Sequence, residues 1–205
     1  ALDDGAYVVV WRGDGPGDGQ GVFGQLFAAD GTALGQEFRV NATTANNQIE
    51  PSVEALAGGG FIVSWSSFGQ VSATSNTDVV SRVYAGTLDP VTDAPEALTG
   101  ELVTNTTIPG NQQTLGFTAE TVAGLAGGGF VTVWSDSAST DGSSSGVFAR
   151  LWEADGTPVA VGGSADEFQV NTTTASTQIY ASVGALADGG FVAVWNGNGP
   201  GDSSG

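Results

Sequence analysis

The sequence predicts an all-β protein made of tandem four-stranded antiparallel sheets, and three observations carry that prediction. A glycine-led stretch closing on tryptophan returns four times: DDGAYVVVW ending at Trp11, AGGGFIVSW at Trp65, AGGGFVTVW at Trp134 and ADGGFVAVW at Trp195. The segments after each copy align with one another in the same order. No stretch shows helical periodicity sustained between capping signals. The tryptophans stand 54, 69 and 61 residues apart, an uneven spacing of the size expected when one supersecondary unit is repeated with variable loops.

The first strand of each unit is the anchor itself, a short run of apolar and β-branched residues behind a glycine turn. Phe61, Val63 and Trp65 should face one way, Ile62 and Ser64 the other. The later copies place Val131 and Val133, or Val192 and Val194, on that second face. A strand apolar on both faces is expected to be covered on both. A Gly/Asp/Ser-rich loop leads to a second strand: VFGQLF (22–27), VVSRVY (79–84) or VFARLW (147–152). The first and third of these run into AADGT (28–32) and EADGT (153–157), where Asp-Gly supplies the positive backbone angles of a tight hairpin. The middle copy carries Gly86 and Asp89-Pro90 instead.

A third strand follows as EFRVN (37–41), ELVTN (101–105) or EFQVN (167–171). Its terminal asparagines, Asn41, Asn105 and Asn171, are of a type that satisfies backbone groups at strand ends. A polar segment containing Gln48, Gln113 or Gln178 then enters a fourth strand, SVEAL (52–56), TVAGL (121–125) or SVGAL (182–186). The units are therefore 1–56, beginning at the end of a fourth strand; 57–125, divergent and with insertions; 126–186; and 187–205, the start of a fourth unit.

Such sheets point to kelch-like β-propeller blades, which bury both faces against radial neighbours. A linear β-solenoid and a string of small sandwiches are the alternatives; solenoid coils are usually shorter, and a sandwich of this size has little core. Ala1-Leu2 matches the tail of a fourth strand and 202–205 matches 18–21, so both ends fall inside a unit. The expectation is an incomplete ring or part of a longer array, or a chain that packs against copies of itself.

Composition narrows the chemistry. The 205 residues carry a formal charge of −18, with four arginines and no lysine, which disfavours nucleic acid and anionic membrane as partners. Cysteine, histidine and methionine are absent, which excludes disulfides, thiol nucleophiles, zinc enzymes and Ser/His/Asp hydrolases. No apolar run reaches the roughly 20 residues of a membrane span. The first residues lack the pattern of a secretory signal, so an exported chain would carry its signal elsewhere.

Asp14, Asp18, Asp136, Asp141 and Asp202 fall in the loop between first and second strands and are candidate calcium ligands, since Ca²⁺ takes carboxylate and carbonyl oxygens from flexible loops. Their spacing is not constant, and turn-forming Asp explains the same residues. Asp30 and Asp155 read as turn formers. Trp11, Trp65, Trp134 and Trp195 could stack on sugars or pack between sheets. Glu37, Glu101 and Glu167 occur once per unit, whereas a glycosidase needs one pair of carboxylates in one cleft, so no enzyme is expected.

Written out as GGFVVVW, GVFGQLF, ADGT, EFQVN and PSVEAL, the repeat resembles those of very large secreted and surface proteins of Gram-negative bacteria, in the RTX-like, calcium-associated adhesin group. That resemblance implies type I secretion, an extracellular or cell-surface location, calcium-dependent order, and a part in adhesion, biofilm or surface layers. The nonapeptide of the RTX calcium roll, GGxGxDxUx, is absent; 13–21 and 196–205 come nearest. The expected function is a non-enzymatic structural or adhesive module whose partners are neighbouring repeats or other copies of the chain. A glycan-binding propeller and a calcium-stabilised spacer are the alternatives.

Overall fold

The computed structural model describes residues 1–15, 17–71, 75–107, 110–114, 120–137, 141–142 and 144–197. Among them there are fifteen strands and no helix. Strands β1 (Tyr7–Gly15), β2 (Asp18–Phe27) and β3 (Ala33–Arg39) form a three-stranded antiparallel sheet. The second sheet has ten strands: β4 (Gln48–Leu56), β5 (Gly60–Phe68), β6 (Ser75–Asp89), β7 (Ala94–Ala97), β8 (Leu102–Val103), β9 (Gly110–Gln113), β10 (Val122–Gly124), β11 (Phe130–Asp136), β12 (Gly146–Trp152) and β13 (Phe168–Gln169). Strands β14 (Gln178–Ala185) and β15 (Phe191–Gly197) pair as the third.

The all-β class is as the sequence predicts, but the sheets have three, ten and two strands, and none closes on itself. The large sheet arises because a short parallel pairing, Ser75 with Gly110 and Thr77 with Asn111, ties β9 to β6 and so joins two antiparallel runs. One run is β4-β5-β6 with β7 and β8 on β6; the other has β9 and β10 on β11, then β12 and β13. The third-strand segments are reduced to two residues each in β8 and β13.

The anchor strands have the expected two faces. On β5, Phe61, Val63 and Trp65 enter one cluster with Leu2, Val22, Leu26 and Val40 from the first sheet's side. Ile62, on the reverse face, enters a second cluster with Val83, Val122, Phe130 and Trp152. On β11 the alternation repeats. Phe130 and Trp134 pack back towards β5 and β6, while Val131 and Val133 pack forward against Ala181 and Val183 of β14. Each full side chain so buried contributes about 1.5–3 kcal/mol, so these apolar layers dominate the fold's stabilisation.

The fourth strands stack on one another as well. Val183 donates its amide to the Glu120 carbonyl at 2.7 Å, and the Thr121 amide reaches Ser52 Oγ at 3.2 Å. At the β4–β10 contact Gly124 lies so close that a Cβ there would sit 2.2 Å from the Ala55 carbonyl oxygen.

Hairpin turns follow one pattern. Asp30 Oδ1 accepts the Thr32 amide at 2.9 Å with Gly31 at φ 86°, and Asp155 Oδ1 accepts the Thr157 amide at 2.8 Å with Gly156 at φ 83°. These bonds hold both carboxyls below the usual range. Asp30 and Asp155 are thus turn formers.

Candidate functional site

The recurrent feature of this chain is a polar joint built at the end of each third-strand segment. Asn41 Oδ1 accepts the Val22 amide at 2.8 Å, Asn105 the Val79 amide at 2.8 Å, and Asn171 the Val147 amide at 2.7 Å. Each Nδ2 then donates to a carbonyl two residues on, Thr43, Thr107 or Thr173, at 2.8, 3.0 and 3.1 Å. The same Nδ2 donates to a buried carboxylate: Asp18 at 2.7 Å, Asp78 at 3.1 Å and Asp141 at 3.3 Å. These aspartates precede the clamped valine by four, one and six residues, yet the loops bring all three to one position. A buried carboxylate is costly unless donors surround it. Asp78 has two more, Ser75 Oγ at 2.6 Å and the Val71 amide at 3.1 Å.

Beside each clamp the next repeat reaches across. Glu101 accepts the Ala42 and Thr43 amides at 2.7 and 3.1 Å and the Thr43 hydroxyl at 2.6 Å. Glu167 does the same one unit later, accepting the Thr106 and Thr107 amides at 2.6 and 3.0 Å and the Thr107 hydroxyl. These bonds span 59 and 61 residues along the chain from each Glu to its first amide, about one repeat. A carboxylate with three donors is held far more strongly than an exposed ion pair.

Two arginines complete the joint. Arg82 Nη1 donates to the Val40 carbonyl at 3.0 Å, and Arg150 Nη1 to the Thr104 carbonyl at 3.0 Å. Each also donates through Nε within its own repeat, to Thr99 and Ala165, and lies over its own ring, Tyr84 at 5.5 Å or Trp152 at 4.5 Å. Burial lowers the Arg150 pKa, opposed by Asp166 and Glu167, but an arginine remains charged. The Tyr84 hydroxyl adds a second donor to the Val40 carbonyl at 2.7 Å, and burial pushes its pKa to about 12.

The candidate metal ligands fall in different places. Asp18 and Asp141 sit on the asparagine clamps. Asp14 is exposed on β1. Asp136 is buried and accepts Gln112 Nε2 at 2.8 Å. Asp202 lies outside the described residues. No group of three or more Asp and Glu side chains placed to hold a metal ion occurs among the described residues. Of the four described aspartates, Asp18 and Asp141 each accept the amide of a clamp asparagine and Asp136 that of Gln112.

Of the tryptophans, Trp65 and Trp134 are completely enclosed, so neither offers a ring face to a sugar. Trp11 is half-buried and Trp195 is 38% exposed, at the two outer faces of the stack. Gln112, not Gln113, is the register counterpart of Gln48 and Gln178: Gln112 pairs with Asp136 as Gln48 pairs with Ser67. Its Oε1 accepts Trp134 Nε1 at 3.1 Å. Gln48 and Gln178 instead accept the clamp asparagine at 3.4 Å. Asp136 in place of Ser67 accounts for the switch, because the carboxylate draws the amide nitrogen of Gln112 towards itself.

In the sequence Asp78 stands out only as the second repeat's aspartate, next to Val79, and is not among the candidate ligands; both arginines were missed. The arginines did leave a signal, since VVSRVY and VFARLW carry them at the same aligned position. The sequence matches no protein-family model, and no curated protein is significantly similar to it. Among the described residues no helix is long and apolar enough to cross a membrane.

Proposed function

We propose that this chain is a non-enzymatic structural or adhesive repeat module of a large exported bacterial surface or matrix protein. In this reading β4-β5-β6-β8 and β10-β11-β12-β13 are successive propeller-type blades, and the parallel β6–β9 pairing is a local tie between them. The observation that carries it is the joint made twice over: the Glu of one repeat on the Asn-loop of the repeat before, with an Arg beside it. Residues spent once per repeat on holding repeats together are those of an array. The exported, RTX-like setting rests on the sequence resemblance and on the acidic, cysteine-free composition. An antibody against the chain should label intact cells of its source; labelling only after lysis contradicts the proposal.

A glycan-binding role is favoured by the exposed Trp195 and half-buried Trp11 rings. On a glycan panel, the structural reading predicts no ligand whose retention depends on either ring. Binding abolished by Trp11→Ala or Trp195→Ala would favour the lectin. Calcium enters as a stabiliser attracted by the net charge of −18. It predicts a higher melting temperature with millimolar Ca²⁺ than with chelator, and equal temperatures remove it.

A further inference from the structure

Trp65 and Trp134 are wholly enclosed at equivalent places in successive repeats, yet their indole nitrogens are treated differently. Trp134 on β11 donates Nε1 to Gln112 Oε1 at 3.1 Å, and Gln112 Nε2 in turn reaches Asp136 Oδ1 at 2.8 Å. On β5 the corresponding residues are Trp65, Gln48 and Ser67, with Gln48 opposite Ser67 as Gln112 is opposite Asp136. Trp65 Nε1 meets no hydrogen-bond partner among the described residues, and neither does Ser67 Oγ. Both residues are completely buried, so bulk water reaches neither.

Trp65 and Ser67 stand two residues apart on one strand and so share a face of the sheet. Gln48, directly opposite Ser67 in the antiparallel pair, lies on that same face. Its Nε2 is used on the Ala45 carbonyl at 3.0 Å, and its Oε1 accepts Asn41 Nδ2 at a long 3.4 Å, leaving capacity for a second donor. Relative to the β11 arrangement, Ser67 withdraws a carboxylate and Gln48 withdraws an amide oxygen from beside the indole. The difference in bulk between aspartate and serine is close to that of one water molecule.

We propose that an ordered water molecule is bound here, accepting from Trp65 Nε1 and joined to Ser67 Oγ and Gln48 Oε1. A buried N–H without an acceptor loses the hydrogen bond it makes to solvent in the unfolded chain, and one water with about three polar partners restores it. The donor set selects water over ions. A metal cation would face the positive end of the indole N–H. An anion would lie beside the clamp in which Asn41 holds the Asp18 carboxylate at 2.7 Å, within a chain of net charge −18. A small neutral molecule that both accepts and donates suits all three atoms. Trp65 packs in one cluster with Val22 and Val40, on either side of the Asn41 clamp. Through Gln48 and the water, the hydrogen bonds of that clamp therefore continue into Trp65 of the next repeat, whereas Gln112 closes on Asp136 and Trp134 directly.

The test compares the indole protons of Trp65 and Trp134 in the native full chain by nuclear magnetic resonance, each assigned through its own ring and backbone resonances. Trp65 Nε1–H should show a cross-peak to water with the sign of a long-lived, bound molecule, and Trp134 Nε1–H should show none. Ser67→Ala removes the hydroxyl proton that could relay such a signal and should keep it, because Trp65 and Gln48 still hold the water. Ser67→Asp reinstates the residue type found beside Trp134 and should lose the signal, with circular dichroism showing that the variant is folded. A crystal structure of the native chain should place a water oxygen about 2.8–3.2 Å from Trp65 Nε1 and within reach of Ser67 Oγ or Gln48 Oε1. Equal behaviour of the two indoles, a signal that disappears in Ser67→Ala, or one retained in folded Ser67→Asp overturns the proposal. So does a crystal structure in which Gln48 Oε1 itself contacts Trp65 Nε1.

Discussion

Asn105 does three things at once: it satisfies the Val79 amide, fixes the Thr107 carbonyl and gives a proton donor to buried Asp78. Asn105→Ala leaves those groups unpaired, so it should destabilise the chain by about 2–3 kcal/mol in denaturant unfolding. Glu50 is the opposite case. It is half-buried at a bulge with φ 54°, its Oε2 has no partner, and desolvation raises its pKa despite the nearby Arg12. A carboxyl whose folded pKa lies above its unfolded value favours folding below the unfolded value, about 4.3, and that gain is lost as pH rises through the folded value. Glu50→Gln should therefore gain stability relative to the native protein across that window and hold a constant difference above it. Melting temperatures at pH 3.5 and pH 7 check this; a difference that does not change with pH contradicts it.

At the scale of strands, the alternation of the anchor decides which layer each side chain joins, and Trp65 belongs to the layer shared with the first sheet. Trp65→Ala should cost about 3–5 kcal/mol, the usual penalty for emptying an aromatic site in a packed core. Gly124 marks a different limit. Its backbone is not in the left-handed region, so alanine there would be tolerated by the strand alone; the Ala55 carbonyl is what leaves no room. Gly124→Ala should destabilise by about 1–3 kcal/mol through overpacking between β4 and β10. Gly100, with open space around it, is the control and should change little.

In the whole molecule, what could be read from the sequence was local. The strand segments, the Asp-Gly hairpins and the two faces of β5 follow from periodicity and turn chemistry over a few residues. The sheet count was not legible, because the parallel tie of Ser75 and Thr77 to Gly110 and Asn111 is a short backbone pairing between the ends of β6 and β9 that no apolar periodicity announces. Nor was the common fate of Asp18, Asp78 and Asp141, whose unequal offsets hide one shared position. The recurrence of Glu101 and Glu167 was visible, but their partners lie about a repeat away and are mostly backbone amides, which no residue type announces. Successive repeats are fastened by this Glu-to-loop joint. A double-mutant cycle between Glu101→Ala and Thr43→Val, read by reversible unfolding, tests it most directly. A coupling of about 1 kcal/mol or more is expected, matched by Glu167→Ala with Thr107→Val. Additive effects in both cycles would contradict it.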